Sequence, residues 1–447
     1  MKKYIIIVLV LILTHIIFFV TIDRNRSGIK KVLADIGIWD PKYYVFIQNK
    51  LTNKDLKTKS EGDKFLQELP KSFATNHFTA EHSTYDLEKF FTSSGAEDYN
   101  YGYITSVSKK NNFFKIVTNN GYLISSDQNF KKNKITFLKN IIENFYTDYA
   151  YGGIRGAKWI DDKNLAIYTT IKKDDLIYVA LILINIDEKV KVIDQIILEK
   201  LPIQDGTTST LGGGIEMKDN NLYLSIGTSA VPNQYEINKL AQNDNSIFGK
   251  ILKFKIYKEN NYYKFETHII IAKGSRNAQS LKFINSELYE VEHGPQGGDE
   301  INIIDINSEK MINLGWPLFS YGTPYKNMSA YSLDNPKDED INFTYDQDDK
   351  SFLKPYFYFT PSIAISSIED CPFFNLKGSN SQYNNCLILS TLKDQSLYIM
   401  KKRNAQSEIT SYEKIYIGSR IRKTYTEENT IYLFLDNLKI IKISYKV

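Results

Sequence analysis

Short alternating strands that return again and again, each closed by Asn-, Asp- or Gly-rich turns, constrain this sequence more than any other feature. They are clearest at Phe113–Val117 with Tyr122–Ser125, Leu165–Thr170, Asn221–Ile226, Glu287–Val291, Cys386–Ser390 and Thr430–Phe434. The first two segments flank Thr118–Gly121, an Asn-Gly turn that predicts a β-hairpin. Thirty-two Tyr and 25 Phe suit pleated surfaces, and only 11 Pro interrupt them. Segments recurring on the scale of one four-stranded blade bury their faces only by stacking on like neighbours. The pattern therefore predicts an all-β propeller over residues 99–447. A β-sandwich with irregular loops is the alternative it disfavours.

Ahead of that region, Ile5–Val20 is an almost unbroken apolar run preceded by Lys2 and Lys3. It is about long enough to cross a bilayer and begins like a signal peptide. No small-x-small cleavage site follows, so residues 1–22 read as a signal anchor in preference to a removed signal peptide. Basic residues flank both sides and leave the orientation open. Residues 23–98 read as a charged extension or linker. A net charge of +4 over 447 residues offers no electrostatic case for a nucleic-acid partner.

The most distinctive local motif is His293-Gly294-Pro295-Gln296-Gly297-Gly298-Asp299-Glu300, placed between two alternating strands. Its Gly and Pro residues stop the ladder and free backbone carbonyls to face a ligand. Gly274-Ser275-Arg276-Asn277-Ala278-Gln279 lies upstream, with Asn313-Leu314-Gly315-Trp316-Pro317 and Ser320-Tyr321-Gly322 downstream. In this order and spacing the motifs resemble the glucose/sorbosone dehydrogenase family. Gly152–Ala157, Gly212-Gly213, Ser246–Leu252, Thr360–Ala364 and Gly418–Arg422 are also similar to family segments.

That resemblance implies a six-bladed β-propeller, pyrroloquinoline quinone (PQQ) as cofactor, Ca²⁺ beside it and an aldose as substrate. It implies that Arg276 and Asn277 polarise the quinone, and that Lys393, Arg420 and Arg422 hold its carboxylates. Arg offers planar bidentate donors for that task and Lys a point charge. Gly294 and Pro295 match the positions whose carbonyls bind the family's Ca²⁺, a cation that favours oxygen ligands. The family's bacterial members are exported, which places the propeller in the periplasm or outside the cell.

Two departures bear on chemistry. Where the family carries a general-base His two residues before the double glycine, this chain has Thr210; where an Asp orients that base, it has Thr228. A threonine hydroxyl is too weak a base near neutral pH. His293 is the one substitute the sequence offers, with a plain turn-lining role as its competing reading. The chain thus reads either as a PQQ-dependent sugar dehydrogenase or as a non-catalytic module binding a sugar or anionic ligand. Finally, Cys371 and Cys386 bracket a loop between two strands of one blade, which in an exported protein permits a disulfide. Two free thiols are the alternative.

Overall fold

A computed structural model describes residues 72–74, 79–87, 101–147, 152–187, 189–202, 210–228, 235–295, 297–322, 351–371, 386–402, 409–436 and 438–446. The expected signal anchor lies outside them. Among the described residues no helix is long and apolar enough to cross a membrane.

Six sheets follow one another along the chain. Their innermost strands are Ile104–Lys110, Ile154–Trp159, Gly212–Lys218, Ala278–Ile284, Ile365–Asp370 and Ile421–Glu427. Each of these packs beside the next, and the sixth packs beside the first, so the ring is closed. The fold is a six-bladed β-propeller, as the resemblance implies. Each recurring segment named above supplies the second strand of a blade, from Phe113–Thr118 in blade 1 to Thr430–Leu435 in blade 6, except Tyr122–Ser125, which lies in the third strand of blade 1.

Stacking explains the recurrence. Six apolar clusters fill the six gaps between adjacent blades. In the blade-2 strand Leu176–Asn185, Val179, Leu181 and Leu183 pack towards blade 3, whereas Ala180, Ile182 and Ile184 pack towards blade 1. Alternation sends successive side chains to opposite faces, and both faces are covered. The strand is therefore a continuous apolar run. Tight turns come from paired polar residues at positive φ: Asn111-Asn112, Asp174-Asp175, Asp219-Asn220 and Asn260-Asn261. That is the hairpin geometry in which Asn and Asp tolerate left-handed backbone.

One expected boundary moves. Thr79–Asp86, read in sequence as part of the extension, pairs antiparallel with Lys439–Lys446, from Thr79 opposite Lys446 to Asp86 opposite Lys439. Ser72–Ala74 then adds to its outer side. The propeller is thus closed by a strand from the N-terminal side of residue 99. Only Ala80 of this strand enters the apolar cluster between blades 5 and 6, so it carries no hydrophobic period to reveal it. The cysteines are joined: Cys371 and Cys386 form a disulfide with a Cα–Cα distance of 5.4 Å, tying the inner strand of blade 5 to its neighbour.

Candidate functional site

Antiparallel pairing fixes one end of the propeller, because each inner strand starts where the second strand of its blade ends. Ala278 faces Glu292, Ile365 faces Thr391, and Ile421 faces Leu435. Arg276 and Asn277 precede the inner strand of blade 4, and His293–Pro295 follow its second strand. Thr210 and Thr228 stand in the same relation to blade 3, and Lys393 and Arg420 to blades 5 and 6. Every candidate residue named from sequence therefore lies at this end.

At blade 4 the Arg276 Nη1 donates to the carbonyls of His293 and Gly294, at 2.9 and 3.0 Å. Its guanidinium also lies over the Trp316 ring, 5.3 Å from the centroid. Asn277 Oδ1 accepts from the Gly212 N–H at 3.2 Å, joining blade 4 to blade 3. At blade 6, Arg420 and Arg422 share one carboxylate: Asp436 accepts from Arg420 Nε at 2.9 Å and Arg422 Nε at 2.6 Å. Burial alone would raise the Asp436 carboxyl, but the two guanidinium groups outweigh it and hold it below the usual range. Arg422 also stacks over Tyr103, 4.1 Å from the centroid. Lys393 is exposed, on a loop whose backbone N–H bonds to Ile363. Two arginines against one aspartate leave a cationic surplus.

The base position does not recover its chemistry. His293 Nε2 lies 2.8 Å from the Ile365 carbonyl, which can only accept, so this nitrogen carries the proton. Nδ1 lies 3.4 Å from the Asn277 amide nitrogen, which can only donate. Burial lowers the imidazole pKa, with Arg276 and Arg420 adding to the effect. Both nitrogens are engaged, so the lone pair a general base would need is already turned to Asn277. The Thr228 hydroxyl donates to the Arg276 carbonyl at 3.3 Å. Where an orienting carboxylate was expected, a hydroxyl braces backbone.

The calcium expectation fits poorly as well. The Gly294 carbonyl, expected to face Ca²⁺, accepts from Arg276, and a divalent cation there would meet a guanidinium. Among the described residues, no group of three or more His, Cys, Asp or Glu is arranged to hold a metal ion. PQQ fits better, because its carboxylates call for the cationic groups that this end supplies.

Sequence reasoning missed the acids beneath the turns. Glu292 accepts from the backbone N–H groups of Arg276 and Asn277 and from the Ser275 hydroxyl. Asp299 accepts from Gly294 N–H at 3.0 Å, from the Ser362 hydroxyl, and from the N–H groups of Ile363 and Ala364. It thereby clamps the Gly294 turn to blade 5. Glu290 and Glu300 lie alongside, both bonded to Asn302 Nδ2. Burial pushes both carboxyls well above the usual range, and the Glu292 charge adds to it. Gly297 and Gly298 hold φ of +85° and +68°, which explains the double glycine in the motif. A run of buried-strand positions carrying Glu was the available signal.

These features are those of a six-bladed β-propeller with a cationic end. Residues 148–442 match the family model for glucose/sorbosone dehydrogenase, and the chain belongs to that family. It is 30% identical over 178 residues to aldose sugar dehydrogenase YliI of Escherichia coli, covering 38% of this chain and 42% of that protein. It is 33% identical over 119 residues to quinoprotein glucose dehydrogenase B of Acinetobacter calcoaceticus, covering 26% of this chain and 23% of that one. The matches thus span less than half of either relative. Among solved structures, the apo soluble aldose sugar dehydrogenase of Escherichia coli superposes with a TM-score of 0.58 at 20% identity, over 82% of this chain and 100% of that one.

Proposed function

We propose that this end of the propeller binds PQQ, or a polycarboxylate like it, and oxidises sugar slowly at best. The observation that carries the reading is the imidazole of His293, engaged at both nitrogens, beside a cationic surface. Arg420, Arg422 and Lys393 would hold the carboxylates, and Arg276 and Asn277 would face the quinone oxygens. The cofactor, when bound, would accept a hydride from a sugar carbon. Taking the hydroxyl proton falls to the protein, and neither Thr210 nor Thr228 has the basicity for it. Losing a general base removes typically about 10² to 10⁴ in rate. The disulfide and the apolar N-terminus together favour an oxidising compartment outside the cytoplasm, with the chain anchored by residues 1–22.

Titration of the full chain with PQQ, with and without Ca²⁺, tests the binding half. A panel of aldoses with an artificial electron acceptor tests the catalytic half. Saturable PQQ binding with negligible turnover is expected, and Thr210→His with Thr228→Asp should raise turnover. Robust wild-type oxidation would overturn the catalytic half, and failure to bind PQQ would overturn the whole reading.

A further inference from the structure

A polar cavity opens on the propeller axis, and every blade contributes to its wall. Thr105, Arg155, Gly212, Gln279, Ser366 and Arg422 come from the inner strands of blades 1 to 6 in turn, and Lys423 joins Arg422 from the sixth. Three of the lining side chains are cationic and none is acidic. Arg155 and Lys423 matched no cofactor position in the sequence.

The charges are close enough to oppose one another. Burial lowers the Lys423 ammonium to about 8, and repulsion from Arg422 and Arg155 adds to this against the pull of Glu369. Glu369 itself pairs with Lys282 at 2.6 Å, and Asp436 is shared by Arg420 and Arg422. Lys423 Nζ makes two long bonds, to the carbonyls of Gln279 at 3.2 Å and Ser366 at 3.4 Å. An ammonium has three N–H donors, so one remains for a ligand. Arg155 is oriented by the Tyr103 hydroxyl and by the Gly212 carbonyl, the latter at 3.2 Å.

The geometry points to an oxyanion site of the phosphate class on the propeller axis, with Arg155 and Lys423 as its principal donors and Arg422 at its rim. Two guanidinium groups and an ammonium converging from different blades offer charge-assisted bonds to several oxygens of one group. An oxyanion there would also relieve the repulsion among them. The phosphate could be free or carried by a sugar. The site shares Arg422 with the proposed PQQ cluster, but its principal donors, Arg155 and Lys423, lie outside that cluster.

Calorimetric titration of the full chain at fixed ionic strength, with inorganic phosphate, glucose 6-phosphate and glucose, tests this. Saturable binding of inorganic phosphate is expected, weakened about tenfold or more in Arg155→Leu and in Lys423→Met. Lys163→Ala, which removes an exposed outer pair with Asp187, should bind like wild type. Glucose 6-phosphate binding far tighter than phosphate, with glucose inert, would identify a sugar-borne group; equal affinities would identify free phosphate. No binding of either phosphate, or binding unchanged in both variants, overturns the site. If Arg155→Leu fails to fold by circular dichroism, Lys423→Met alone decides. PQQ titration of Arg155→Leu and Lys423→Met reads the proposed function separately, since neither residue belongs to the proposed PQQ cluster.

Discussion

Two sides of the Ser275–Asn277 turn carry opposite chemistry. Towards the open end lie guanidinium groups: Arg276 over Trp316, and Arg420 with Arg422 on Asp436. Beneath the turn lie Glu290, Glu292, Glu300 and Asp299, all buried. The buried acids bind backbone and amide groups; Glu292 alone receives two backbone N–H groups and a hydroxyl. The difference teaches that the acids build the platform, while the cations lie on the side to which the proposed ligand is assigned. Removing a platform acid should therefore cost stability, whereas removing a surface cation should cost affinity.

The sharpest way to break that division is Glu292→Ala. It strands the buried backbone donors of Arg276 and Asn277, at about 1–3 kcal/mol for each group left unsatisfied. Chemical denaturation should show a loss of about 3 kcal/mol or more, the largest effect anticipated. A loss below about 1 kcal/mol would mean that the turn holds itself. Replacing Cys371 and Cys386 by Ser comes next, at about 3 kcal/mol for a loop of this size. Non-reducing mass spectrometry of the wild type should find the two cysteines linked, and the variant's midpoint should fall without change at the cationic end.

Arg276→Ala should do the reverse. Its folding midpoint should stay within about 1 kcal/mol of wild type, while PQQ affinity falls about tenfold or more. Arg420→Ala should weaken PQQ less, because Arg422 keeps Asp436 in place.

Lys423→Met is the most diagnostic through pH. A lysine in the unfolded chain titrates near about 10.4, whereas burial holds Lys423 at about 8 in the fold. Between those values the unfolded state binds the extra proton, so wild-type stability withheld at neutral pH is regained as pH rises. The variant should therefore melt higher than wild type at pH 7, with the gap closing towards about pH 10. A gap independent of pH would assign the effect to packing instead.

Much of the fold was legible because its periodicity is local. Leu165–Thr170 and Asn221–Ile226 show their strand character within six residues, and Asn119-Asn120-Gly121 announces its own turn. The cysteine pair could be read as a candidate bridge, and the site motifs brought Arg276, Asn277, Thr210 and His293 to one end of the propeller. Thr79–Asp86 escaped because an outer strand buries almost nothing; its identity rests on pairing with Lys439–Lys446, more than 350 residues away.

The role of each site residue was a matter for tertiary structure. Sequence placed His293 in the motif but could not say that Ile365 and Asn277 would occupy both of its nitrogens. It left Arg155 and Lys423 unmarked, since neither has a neighbour in sequence that reveals the axis. By itself the sequence determined the recurring strands, their turns and the family, because these follow from side-chain alternation and backbone preference over a few residues. Only closure of the ring decided which charges meet, because each inner strand delivers a few side chains to the axis and their energies depend on partners from other blades.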